Sequence, residues 1–184
     1  MEYQRLAKIL PLKNIKLEHD NVSKLKVRLS NHATFASLQI DINNIPFLSW
    51  EEIFLTVSNI PEYHFIHLNH NSFPLKGSHG PYFVHNLKSN SFNIINKKFF
   101  MSSIIDILKK NHWLQPPVDN GKFKILKHRA LDLSNAAISI YMLDKSLHIP
   151  KKPYDNEWSH AFIEFYEFFI VTADNIFIWT LIYE

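Results

Sequence analysis

Residues 168–183 read FFIVTADNIFIWTLIY. Two runs of large apolar residues, Phe168 to Thr172 and Ile176 to Tyr183, flank a short polar break at Asp174 and Asn175. Aromatic and β-branched side chains dominate both runs, the pattern of a strand hairpin. In the second run both alternating faces are apolar: Ile178 and Ile182 on one, Phe177, Trp179 and Leu181 on the other. A strand of that kind is buried on both sides and belongs in the middle of a sheet. A membrane span fits less well. Between Ala161 and Tyr183 stand Glu164, Glu167 and Asp174, each of which costs roughly 2.5–3.5 kcal/mol near a bilayer centre. No membrane insertion is expected.

The rest of the chain builds outward from this hairpin. Its 184 residues, 46% hydrophobic and 20% charged, suit a single globular domain, 1–184, with a core of its own. There is no cysteine, which excludes disulfides and thiolate metal sites. The first residues show no apolar run suited to an export signal, so a cytoplasmic location is expected. Only Gly77, Gly80 and Gly121 are glycines, too few and too scattered for a phosphate cradle or dinucleotide turn.

In chain order, Tyr3–Leu10 has the spacing of a short helix. Residues 22–42 read as a hairpin with a two-residue turn at Asn31 and His32. That turn would set Leu25 opposite Leu38 and Lys24 opposite Gln39, leaving Lys24, Lys26 and Arg28 as a solvated strip. Ser49 opens a helix with a capping box completed by Glu52, and Leu48 is placed to staple onto Ile53. His64–Leu68 and Tyr82–Leu87 read as strands, with Phe92–Ile95 pairing to the latter. Lys97–Lys110 carries a helical stripe, with Asn111 as its cap. Lys122–His128 reads as a strand, Ala130–Leu143 leans to helix on its alanines, and Asn156–Tyr166 is a helix entering the final hairpin. The fold class is α+β: a mixed or mainly antiparallel sheet with two to four helices, two or three of them packed against one face.

Three groups of residues bear on chemistry. Five of the eleven histidines fall between 64 and 85. Imidazoles at His64, His67 and His70 are candidate metal ligands, although a strand would turn His67 away from the other two. Glu157 and His160, with Glu164 and Glu167, would form a carboxylate and histidine stripe on a helix. A di-iron site needs a second such pair, and the sequence has no second copy. Ser78 and His79 stand between two glycines in KGSHGPY (76–82), but the glycine pattern of a nucleophile elbow is absent. No cofactor is expected.

These readings favour a binding or inhibitory protein over an enzyme. Trp113, Lys151, Lys152, Tyr154, Glu157, Trp158 and His160 are the candidate partner contacts, because aromatics beside exposed loops serve as interface anchors. In size, composition and closing strand pair the chain resembles the toxin-neutralising immunity proteins of bacterial competition systems. That resemblance implies a toxin or effector as partner. The net charge of +3 implies one met through an acidic surface, or a toxin that is not a nuclease. Two alternatives remain. One is a nucleic-acid-associated protein of a phage or phage-defence system using Lys24, Lys26, Arg28, Lys122, Lys124, Lys127 and Arg129. The other is a histidine-dependent metalloenzyme. Seventeen of the twenty basic residues are lysine, which weighs against phosphate reading by the guanidinium fork.

Overall fold

The structure is a computed structural model, and it describes residues 22–42, 49–64, 77–110, 118–150 and 161–183. Among the described residues, eight strands and four α-helices follow in chain order. They are β1 (Val22–Arg28), β2 (Ala33–Asp41), α1 (Trp50–Ser58), α2 (Pro61–His64), β3 (Ser78–His79), β4 (Tyr82–Phe83), β5 (Phe92–Ile95), α3 (Lys97–Lys109), α4 (Asn120–Ala136), β6 (Ser139–Leu143), β7 (Glu164–Val171) and β8 (Asn175–Tyr183). Six strands form one sheet in the order β1-β2-β8-β7-β6-β5, and β3 pairs with β4 in a small ribbon. Every pairing is antiparallel, so the fold is α+β.

The closing hairpin is the centre of the sheet, as its double-sided apolar pattern requires. β7 and β8 pair from Glu164↔Tyr183 to Val171↔Ile176, and all eight residues of β7 are buried. Burial on both sides demands cover on both sides, and helices pack against both faces rather than one. On one face Phe35, Phe168 and Trp179 meet Phe100, Ile104 and Leu108 of α3 and Leu126 and Ala130 of α4. On the other, Leu38, Phe165, Phe169 and Ile178 meet Phe54 and Val57 of α1, Tyr63 of α2 and Tyr82 of β4. Each such side chain contributes roughly 1.5–3 kcal/mol by leaving water. Edge-on packing of Phe35 against Trp179, 5.0 Å between centroids, adds shape to the first core, as Trp50 stacked on Tyr141 at 3.9 Å does to the second.

Two helices start and stop where their caps put them. Ser49 and Glu52 complete the capping box, the Ser49 N–H donating to Glu52 Oε2 at 2.7 Å and the Glu52 N–H to Ser49 Oγ at 3.4 Å. Asn96 caps α3, its side chain accepting from the Phe99 N–H. Leu48, Asn111 and residues 3–10 lie outside the described residues.

Several sequence expectations are corrected. The β1–β2 register is shifted by one: Lys24 faces Leu38 and Leu25 faces Ser37. The connection is four residues long, with Arg28 donating from Nε and Nη2 to the carbonyls of Ser30 and Asn31. No β1 residue is buried, whereas β2 is buried on both faces, so matching apolar to apolar could not select the register. Lys24, Lys26 and Arg28 therefore stand on the face of Leu38 and Ala36, and all three are exposed there, as the expected solvated strip requires.

Residues 122–128 belong to helix α4, not a strand. Asp119 caps that helix from Gly121 N and Lys122 N, and Phe123, Leu126 and Ala130 recur at helical spacing against the core. The helix ends at Ala136, and 139–143 form β6, so the alternation of Ile140 and Met142 wins over alanine content. Of the stretch read as a helix from Asn156, residues 164–166 are strand, since pairing with β8 outweighs the helical spacing. Only Tyr82 and Phe83 of 82–87 are strand; a 3-10 turn follows at Val84–Asn86. Phe92–Ile95 pairs with β6 instead. His64 ends a short helix, and 65–68 lie outside the described residues.

Candidate functional site

The most chemically loaded place lies under the sheet's centre. Glu167 points from β7 toward the α1 and α2 side, opposite Thr180 of β8. The β3–β4 ribbon is pressed onto it. Gly77 and Gly80 bracket Ser78 and His79 with φ of +82° and +54°, conformations that L side chains resist. A Cβ on Gly80 would stand 2.4 Å from Phe165 Cε2, so only glycine allows the ribbon to lie this close. The Tyr82 hydroxyl, donating to the Leu147 carbonyl, ties down the second strand of the ribbon.

His79 is held on three sides. Its Nε2 is 2.9 Å from Glu167 Oε1, its Nδ1 is 2.6 Å from the Tyr63 carbonyl, and its ring stacks on the Tyr63 ring at 3.8 Å. Phe165 closes a further side edge-on at 5.5 Å. Both ring nitrogens face oxygen atoms, and a carbonyl can only accept. Nδ1 therefore carries a proton, and one more proton is shared between Nε2 and Oε1. Imidazolium with carboxylate, or imidazole with carboxylic acid, gives the same neutral total. Glu167 Oε2 and the Tyr63 hydroxyl are also buried, and among the described residues neither has a partner in good hydrogen-bonding geometry. Burial first, then the nearby Glu167 carboxylate, push Tyr63 ionisation well above the usual tyrosine range. His79, Glu167 and Tyr63 all have 0% exposure. In this conformation the acid and base pair meets its own core and not a substrate.

A second polar network lies on the opposite face at the start of β7. Lys110, just past α3, forms an ion pair with Glu164 and donates to the Tyr166 hydroxyl at 3.0 Å, which in turn donates to Glu164 Oε2 at 2.7 Å. The Tyr183 hydroxyl donates to the Ile107 carbonyl at 2.6 Å, satisfying a carbonyl of the last turn of α3. Burial is the leading cause that raises the ionisation of Tyr166 and Tyr183, with hydrogen bonding to Glu164 next for Tyr166.

The residues singled out from the sequence fall in several places. His64 Nε2 binds the Ser58 carbonyl at 2.6 Å, while His67 and His70 lie outside the described residues. No three metal-ligating side chains gather among the described residues. His64 and His85 do share the lining of an open groove of about 590 Å³ beside α1, floored by Phe54, Val84 and Leu87. Glu164 and Glu167 face opposite sides of β7, so they form no common stripe. Trp113, Lys151, Lys152, Tyr154, Glu157, Trp158 and His160 lie outside the described residues.

The basic set is divided. Lys24 is exposed on the edge strand β1, where desolvation, then Lys26, lower its pKa and Glu62 opposes them. Lys122 Nζ donates to the Arg28 carbonyl at 2.8 Å, joining the end of β1 to α4, and Lys124, Lys127 and Arg129 are exposed on that helix. The pairing of His79 with Glu167 is what sequence reading missed. Its signals were a glycine-bracketed histidine and a carboxylate inside an apolar strand.

Comparison of the chain with protein-family models, curated proteins and solved structures found no match.

Proposed function

We propose that this protein is a binding and inhibitory protein that acts by covering another protein in the cytoplasm. The partner class is a toxin or effector of bacterial competition, neutralised in the manner of an immunity protein. What supports the reading is the distribution of reactive and adhesive groups. The buried acid and base pair, His79 with Glu167, is spent on holding the β3–β4 ribbon to the sheet at 0% exposure. The charge that remains within reach of solvent is a lysine-rich surface, which includes the exposed cations of α4 and of β1. A neutraliser needs such a rigid scaffold and a charged outer face, and needs no reachable nucleophile. No helix among the described residues is long and apolar enough to cross a membrane.

Co-expression of the tagged chain with the product of the adjacent gene tests the reading. Co-purification of the two, with protection of the cell, is expected. If deleting the gene changes neither viability nor protection, the reading falls.

A second reading, association with nucleic acid, is favoured by the contact of Lys122 with Arg28, which draws two members of the basic set together. Its binding would weaken steeply with salt. A gel shift showing no complex at low salt removes it.

A further inference from the structure

We infer that the outward face of α4 is the docking surface, and that the partner presents an acidic surface interspersed with aliphatic side chains. The inference rests on the reading of the protein as a protein-binding inhibitor. Helix α4 turns Leu126, Ala130 and Ser134 to the core. Its other faces carry Lys124, Ile125, Lys127, His128, Arg129 and Leu131, all exposed. Ile125 is 67% and Leu131 45% exposed, one on each flank of the line from Lys124 to His128. The i,i+4 neighbours on this surface are Ile125 with Arg129 and Lys127 with Leu131, so each aliphatic group has a cation beside it.

The charge placement is not what helix stability would select. Lys122, Lys124, Lys127 and Arg129 all fall in the first ten residues of the seventeen-residue helix, and the last turn has no basic residue. The helix dipole favours cations at the other end. Asp132 is the one acidic residue in the helix, 3.7 Å from His128, so the positive field is only partly offset. A local arrangement that works against its own element points to a use outside the fold.

Charge complementarity calls for an acidic occupant, and the aliphatic pair decides between a protein and a nucleic acid. Phosphate contacts need cations and hydrogen-bond donors, to which Ile125 and Leu131 add nothing. An acidic protein surface with its own aliphatic residues uses both.

Two variants separate these contributions: Lys124→Glu with Lys127→Glu, and Ile125→Asn with Leu131→Asn. All four positions are exposed, and circular dichroism with a urea midpoint verifies that each variant folds. Capture of the adjacent gene's product by the parent protein, reduced about tenfold by either variant, is the expected result. Equal capture by parent and variants overturns the docking surface while leaving the inhibitor reading intact. If the parent captures nothing, the inhibitor reading fails, and fluorescence anisotropy then decides the surface alone. The probes are a labelled helical glutamate–leucine peptide and a short DNA duplex at about 0.15 M salt. Peptide binding that is lost in the Ile125→Asn, Leu131→Asn protein upholds the surface. No peptide binding, or tighter binding of the duplex, overturns it.

Discussion

His79 Nε2 lies 2.9 Å from Glu167 Oε1 across a separation of 88 residues in sequence, and neither side chain has any exposure. This contact joins the β3–β4 ribbon to the central strand of the molecule. Breaking a buried pair from one side leaves an uncompensated polar or charged group, at a cost of roughly 3–5 kcal/mol. His79→Phe and Glu167→Leu should each lower the urea midpoint by a corresponding amount. The double variant His79→Phe, Glu167→Leu should cost less than the two singles combined, because it leaves no orphan. Strict additivity would show that the pair is not coupled.

The two positive-φ glycines should respond differently to alanine. At Gly77 no atom lies within 4 Å of the new Cβ, so Gly77→Ala carries only the left-handed backbone cost of about 1–2 kcal/mol. At Gly80 the Cβ would meet the fully buried ring of Phe165, adding an overpacking cost of about 1–3 kcal/mol. Thermal melts that rank Gly77→Ala below Gly80→Ala in stability would contradict this packing.

Alkaline unfolding should begin near the ordinary tyrosine pKa. Tyr63, Tyr166 and Tyr183 are raised in the folded state, chiefly by burial. The unfolded chain loses these protons at a pH of about 10, before the folded chain does. Their contribution is complete below that pH and is lost as pH rises toward the folded values. Tyrosinate absorbance for these groups should therefore develop together with loss of the circular dichroism signal. Ionisation of all seven tyrosines at about pH 10 with the fold intact would refute it.

Ser49→Ala should remove the cap of α1 and cost about 0.5–2 kcal/mol. The Glu52→Ala variant opens the same box from the other side, since the Ser49 N–H donates to Glu52 Oε2. A double-mutant cycle in urea should show coupling between them. Independent effects would mean that the box contributes nothing beyond two separate bonds.

Legibility in the sequence followed how local the deciding interaction was. Ser49 and Glu52 announce α1 because cap and box lie within four residues. Residues 168–183 announce the central hairpin because both faces of β8 are apolar. The stretch 122–143 was misread because alternation and helical spacing coexist there. The cap at Asp119 and the pairing of β6 between β5 and β7 divide it into helix and strand. The candidate site was legible only as fragments: a histidine between glycines, a glutamate among aromatics, a set of lysines.

From sequence alone came the α+β class, the central and doubly buried hairpin, the cap of α1 and the stripes of α1 and α3, since each is settled by periodicity or by neighbours a few residues apart. The tertiary structure alone decided that helices cover both faces, that β1 pairs one residue out of the expected register, that 120–136 is helical, and that His79 meets Glu167. Those outcomes depend on burial supplied by distant segments, and a pattern read along the chain contains no term for it.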